Sequence, residues 1–94
     1  MANEKMNEIR AEIDKIDHKI MRLLSLRREQ SLAMGKIKKE LQLPIKDSAR
    51  EEVVLDKVSS YAKDSNLDIN LIRQIFTLLI ADSVALQEKE LGDN

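Results

Sequence analysis

Cysteine and tryptophan are absent from the 94 residues, which hold one phenylalanine, one tyrosine, one histidine, one proline and two glycines. Without cysteine there is no disulfide staple and no thiolate metal site. His18 cannot build a zinc site alone, and its ordinary reading is a neutral surface histidine. Runs of β-branched and aromatic residues bounded by turn residues are missing, which speaks against a sheet. An excess of one charge is missing too, because 16 basic and 17 acidic residues leave a net charge of -1. A nucleic-acid binder usually carries a basic surplus, so no nucleic-acid partner is expected. No apolar run reaches the length of a membrane span, and the opening Met1-Ala2-Asn3-Glu4-Lys5 has no apolar signal region. The expectation is therefore a cytoplasmic protein without a membrane partner, with a single domain over residues 1–94.

What remains is rich in Leu, Ile, Lys, Glu and Ala, a helical composition. Apolar residues recur at Met6, Ile9, Ile13, Ile16, Ile20, Leu23 and Leu24, then at Met34, Ile37 and Leu41. These steps of three and four predict one helix from about Glu4 to Leu41. Such a helix is roughly 55 Å long, whereas a compact chain of this size has a radius of gyration of about 12 Å. It must protrude from any monomeric globule, and its continuing apolar seam needs a cover, most simply a second copy. A small core with few aromatics points the same way. Pro44 breaks the helix. Asp47 or Ser48 can cap a second helix from Ser48 to about Lys63, with Glu51 and Glu52 in its first turn. That helix is expected to bury Val54, Leu55, Val58 and Tyr61. Asp64-Ser65-Asn66 reads as a turn, and a third helix runs from its cap near Asp68 to about Leu91. The fold class is all-α, with one long, one short and one medium helix.

The residues that interrupt an apolar stripe carry the functional information. Arg27 continues the first seam where an apolar side chain is expected. Lys38 follows eleven residues later, within roughly 20° of the same face and about 16 Å along the axis. Long cations also snorkel from core edges, so for this pair that reading and a shared anionic ligand stand level. On the third helix, Ile72, Phe76 and Leu79 lead to Ser83 and then Gln87. Ser83 can bond a carbonyl one turn back. Gln87 needs partners if buried, unless it lies at a wet helix end. Asp47, Arg50 and Glu51 share a face, where the plain reading is a capped, salt-bridged helix start. Arg27, Lys38 and Arg50 could together surround a small polyanion, and the arginine fork suits carboxylates. Arg10 lies about 25 Å from Arg27 along the helix. It is either a solvated arginine or a residue supplied to the partner's site in an antiparallel dimer. Gly35 costs up to about 1 kcal/mol mid-helix, which close approach by another helix or a ligand would explain, as would drift.

These residues and their order resemble the all-helical class of chorismate mutases. The matching stretches are Ile9-Arg10-Ala11-Glu12-Ile13-Asp14-Lys15-Ile16-Asp17, Leu23-Leu24 with Arg27-Arg28, and Gly35-Lys36-Ile37-Lys38. Pro44-Ile45-Lys46-Asp47 with Arg50-Glu51 follows, then Ile75-Phe76 and Asp82-Ser83 with Gln87. Each motif is short, and their order and spacing from about residue 6 to residue 91 give the likeness its specificity. The resemblance implies a three-helix protomer in an intertwined homodimer with two equivalent sites. It implies rearrangement of chorismate to prephenate, on the route to phenylalanine and tyrosine, with no cofactor and no metal. It assigns the substrate's two carboxylates to Arg27 and the partner's Arg10. Lys38 goes to the ether oxygen and a carboxylate, Gln87 to the ether oxygen, and Glu51 to the ring hydroxyl. Asp47, Arg50 and Ser83 complete the polar shell. Leu26 departs from the pattern, since an acidic residue commonly precedes the arginine pair, but it faces away from the implied site. An isochorismate pyruvate-lyase of the same fold, or an inert helical dimerisation module, are the competing readings.

Overall fold

A computed structural model describes residues 1–92. Its three helices are α1 (Ala2–Glu40), α2 (Ser48–Asp64) and α3 (Ile69–Leu91), with no strand among the described residues. Side chains fix the starts of the second and third helices. The Asp47 carboxylate accepts from the Arg50 backbone N–H at 3.0 Å, and the Asp68 carboxylate accepts from the Leu71 N–H at 3.1 Å. Each cap satisfies an N–H that the first turn leaves without a helical acceptor.

The ends of α1 and α2 share one device. Leu43 N–H donates to Lys38 O at 2.8 Å and Gln42 N–H to Lys39 O at 3.1 Å. After α2, Leu67 N–H donates to Ala62 O at 2.8 Å and Asn66 N–H to Lys63 O at 3.3 Å. These paired bonds close a helix through one left-handed residue, here Gln42 (φ 57) and Asn66 (φ 55). Asparagine tolerates that region well, whereas glutamine does so at a cost.

The chain falls into two compact units, Met1–Gln30 and the stretch from Ser31 onward. The first is helix from Ala2 onward, and every residue in it is exposed except the half-buried Leu24 and Arg27. Its seam residues Ile9, Ile13, Ile16 and Ile20 are between 49% and 60% exposed, so this apolar face is uncovered in the single chain.

In the second unit α2 packs on α3. Val54, Leu55 and Val58 of α2 are half-buried and Ala62 is buried, as are Ile72, Phe76 and Leu79 of α3 in part. Arg73 stitches the two helices, donating to Ser59 Oγ at 2.9 Å and to Leu55 O at 3.4 Å. Tyr61, expected in this core, is exposed instead. The next residue, Ala62, takes the inward position, and its small side chain leaves no place there for a phenol. The helix α3 also corrects the expectation about apolar runs. By length and composition it could cross a membrane, because leucine and isoleucine outweigh its few polar residues. Those polar residues nevertheless bond within the fold, Arg73 to α2 and Gln87 to the end of α1.

Candidate functional site

The last turns of α1 present two different faces. Met34, Ile37 and Leu41 are exposed, whereas Ser31, Gly35 and Lys38, three and four residues apart, are buried or half-buried. The inward face is thus small and polar, and it meets the polar end of the α3 stripe. Ser31 Oγ lies 2.8 Å from Ser83 Oγ, and Gln87 Nε2 donates to Ser31 O at 2.7 Å. Gln87 is only 4% exposed, which rules out the reading of a wet helix end. Since Ser31 O can only accept, the amide nitrogen must lie on that side. Its second N–H then points away at about 120° from the first, by trigonal geometry.

Gly35 makes this contact possible. A Cβ at residue 35 would meet Gln87 Cγ at 2.9 Å and Leu91 Cδ1 at 2.7 Å. In a helix the side chain at i+4 lies on the same face as residue i, so any larger residue at 35 would stand where Gln87 reaches Ser31 O. Of the explanations open to this glycine, close approach of another helix is the observed one.

Lys38 is held twice by the α1–α2 loop. Its carbonyl accepts from Leu43 N–H at 2.8 Å, and its ammonium donates to Ile45 O at 2.6 Å. Pro44 and the left-handed Gln42 bend the chain back so that Ile45 O reaches that ammonium. Asp47 is the α2 cap, as the plain reading held, and the Arg50 side chain is exposed. Glu51, half-buried, accepts from Lys46 Nζ through both carboxylate oxygens at 3.0 Å.

Beside this pair a groove of about 450 Å³ opens between α2 and α3. Lys46, Glu51 and Leu55 face Ile80, Ala81, Val84 and Ala85 across it, an apolar trough with a charged pair. Its size is that of a small-ligand pocket. Lys38, Ser83 and Gln87 are not among its walls and lie on the neighbouring inward faces of α1 and α3. Arg10 and Arg27 belong to the Met1–Gln30 unit, where Arg10 is exposed and Arg27 half-buried.

Three participants escape the sequence reading: Ser31, Lys46 and the apolar wall of Ile80 and Val84. Ser31 could have been found, since it stands four residues from both Arg27 and Gly35 on one stripe. Lys46 has no comparable signal, because loop geometry alone brings it to Glu51.

Polar side chains bonded within the inward faces of an all-α fold, beside an apolar trough, are the features by which small-molecule sites are recognised. The chain belongs to the chorismate mutase type II family, which it matches over residues 9–88. It is 39% identical over 90 residues to a chorismate mutase of Methanocaldococcus jannaschii, covering 96% of this chain and 91% of that protein. It is 38% identical over 83 residues to a bifunctional chorismate mutase/prephenate dehydratase of Buchnera aphidicola, covering 88% of this chain but 22% of the relative. The bifunctional enzyme of Escherichia coli K12 is 35% identical over 80 residues, with 85% and 21% covered. The chain thus spans about a fifth of the length of the bifunctional relatives.

Proposed function

We propose that this chain rearranges chorismate to prephenate in a site shared by the two subunits of a cytoplasmic homodimer. Its family makes it a chorismate mutase, an isomerase of aromatic amino acid biosynthesis. The observation that carries the site assignment is Gln87. It is a buried, uncharged donor, held by Ser31 O with a second N–H to give.

The rearrangement is concerted, so it asks for orientation and charge stabilisation rather than a base or nucleophile. Holding the flexible substrate in its reactive chair removes much of the entropic barrier. As the ether C–O bond lengthens, negative charge grows on its oxygen, and fixed donors there bind the transition state better than the ground state. Lys38 and Gln87 take that role. Arg27 and the partner subunit's Arg10 hold the two carboxylates, and Glu51 receives the ring hydroxyl. Asp47, Arg50 and Ser83 complete the polar shell. Two of these assignments require a ligand to compete with bonds now present. Lys38 must give up or share Ile45 O, and Glu51 must share Lys46.

The uncovered seam of Met1–Gln30 supports the dimer, because burying an isoleucine contributes about 1.5–3 kcal/mol. A second copy of the same helix is complementary to it by symmetry, and the whole chain then acts as one catalytic domain per subunit. The test is to incubate purified protein with chorismate, follow the loss of its absorbance and identify the product. Prephenate formed well above the spontaneous rate is expected. Turnover at the spontaneous rate, or release of pyruvate instead, would refute the proposal.

A further inference from the structure

Gln87 is only 4% exposed although α3 ends at Leu91, one turn further on. Helix ends fray and admit water, so something must cover the amide there. Of the residues in that last turn, Glu88, Lys89 and Glu90 are exposed, whereas Leu91 is half-buried. We infer that Leu91 is a positioning residue, which seals the Gln87 amide from water and keeps it seated on Ser31 O. The inference rests on the proposed activity and adds to it an apolar side chain that acts only through Gln87.

The stripe of α3 is apolar at Ile72, Phe76 and Leu79, polar at Ser83 and Gln87, and apolar again at Leu91. Residues four apart share a helix face, and a helical side chain leans over the turn before its own Cα. Leu91 therefore leans back over Gln87. The glycine of α1 shows the same arrangement from the other side. A Cβ at residue 35 would meet Leu91 Cδ1 at 2.7 Å and Gln87 Cγ at 2.9 Å, so both side chains rest side by side on Gly35. Gly92 closes the turn behind them. Its N–H donates to Glu88 O at 3.0 Å, and a Cβ there would strike that carbonyl.

The seal matters because of what the amide is asked to do. Gln87 Nε2 gives one N–H to Ser31 O at 2.7 Å, and the proposed mechanism uses the other at the ether oxygen. Such a donor is worth most where water is excluded and where it is already aimed before the reaction begins. Water entering at the helix end would compete for both N–H groups and loosen the amide. A leucine keeps it out and brings no polar atom of its own.

The experiment is a double-mutant cycle of Leu91→Ala and Gln87→Ala, with Leu91→Met beside it, reading kcat, KM and melting temperature. Leu91→Ala should lower kcat about tenfold, as slight misplacement at a preorganised site does. KM should change less, and melting should fall by a few degrees only, since alanine is a good helix former. Leu91→Met conserves volume and polarity and should keep kcat near that of the wild type. In the Gln87→Ala background, Leu91→Ala should cost kcat nothing, because coupled residues are not additive. Hydrogen exchange of the Gln87 side-chain amide, followed by NMR, should quicken in Leu91→Ala but not in Leu91→Met. Should Leu91→Ala lose its helices by circular dichroism, Leu91→Val takes its place in the cycle with the same expectations. An equal loss of kcat in both backgrounds, no loss in either, or unchanged amide exchange overturns the inference while leaving the activity intact. A wild-type chain without turnover refutes the proposed function, and this inference falls with it.

Discussion

The Met1–Gln30 stretch and the unit from Ser31 onward are both helical, yet different forces account for them. From Ser31 onward, structure is specified by contacts within the chain. Two aspartate caps, two left-handed closures, an arginine stitch and a glutamine seated on a glycine all appear there. Met1–Gln30 carries an exposed local pair, Lys15 on Glu12 at 3.1 Å, with side chains 69% and 68% exposed. Such a pair contributes at most about 0.5 kcal/mol. The periodic isoleucines there are the larger resource, and a single chain leaves them half in water. A helical period therefore announces a buried face without saying who buries it, and here the proposed coverer is a second copy.

The largest expected effect strikes that seam. Ile13→Lys together with Ile16→Lys should remove the burial of the exposed half of each side chain, about 1 kcal/mol per isoleucine on each subunit, and set unpaired charges in the seam, enough together to dissociate the proposed dimer. Sedimentation would read the change as a monomer, accompanied by loss of activity and of helical signal. A dimer that survived would place its interface elsewhere.

Substitutions in the Ser31-onward unit should separate chemistry from folding. Lys38→Ala and Gln87→Ala are each expected to lower kcat by about two to three orders of magnitude, as the loss of one transition-state donor does. Circular dichroism should show the helices retained. Near-normal rates would remove either residue from the ether-oxygen role. Gln87→Glu sharpens the same point through pH. A carboxylate cannot donate, so activity should be low near neutrality and recover as pH falls and the side chain becomes protonated.

Gly35→Ala should gain up to about 1 kcal/mol of helix propensity while displacing Gln87, whose Cγ lies 2.9 Å from the new methyl. Melting temperature should hardly move while kcat falls about tenfold, since small misplacement at a preorganised site is costly. An unchanged kcat would show that Gln87 need not sit where it does. The smallest effect belongs to Lys46→Ala. An exposed pair contributes about 0–1 kcal/mol, so the change expected is a KM shift of at most about fivefold.

The three helices were legible because their signals are local: periodicity, one proline and two aspartate caps. Tyr61 was misplaced because Tyr61 and Ala62 both lie near the inward edge of α2, and only packing decides which turns in. The polar positions Lys38, Ser83 and Gln87 stood out against apolar stripes, whereas Ser31 looked like any helical serine. Its role depends on a neighbour 56 residues away, and periodicity carries no information at that range. The seam was legible as apolar, but the sequence of one chain cannot state that its cover is a second one.

The central claim is that each site takes Arg10 from one subunit and Arg27 from the other. Mixing Arg10→Ala with Arg27→Ala protein under conditions of subunit exchange tests it directly. Hybrid dimers would each hold one intact site, so an equal mixture of two inactive proteins should recover about a quarter of wild-type activity, given twofold symmetry and random pairing. Confirmed exchange without recovery would contradict the account, because residues acting within one chain can never be restored by mixing.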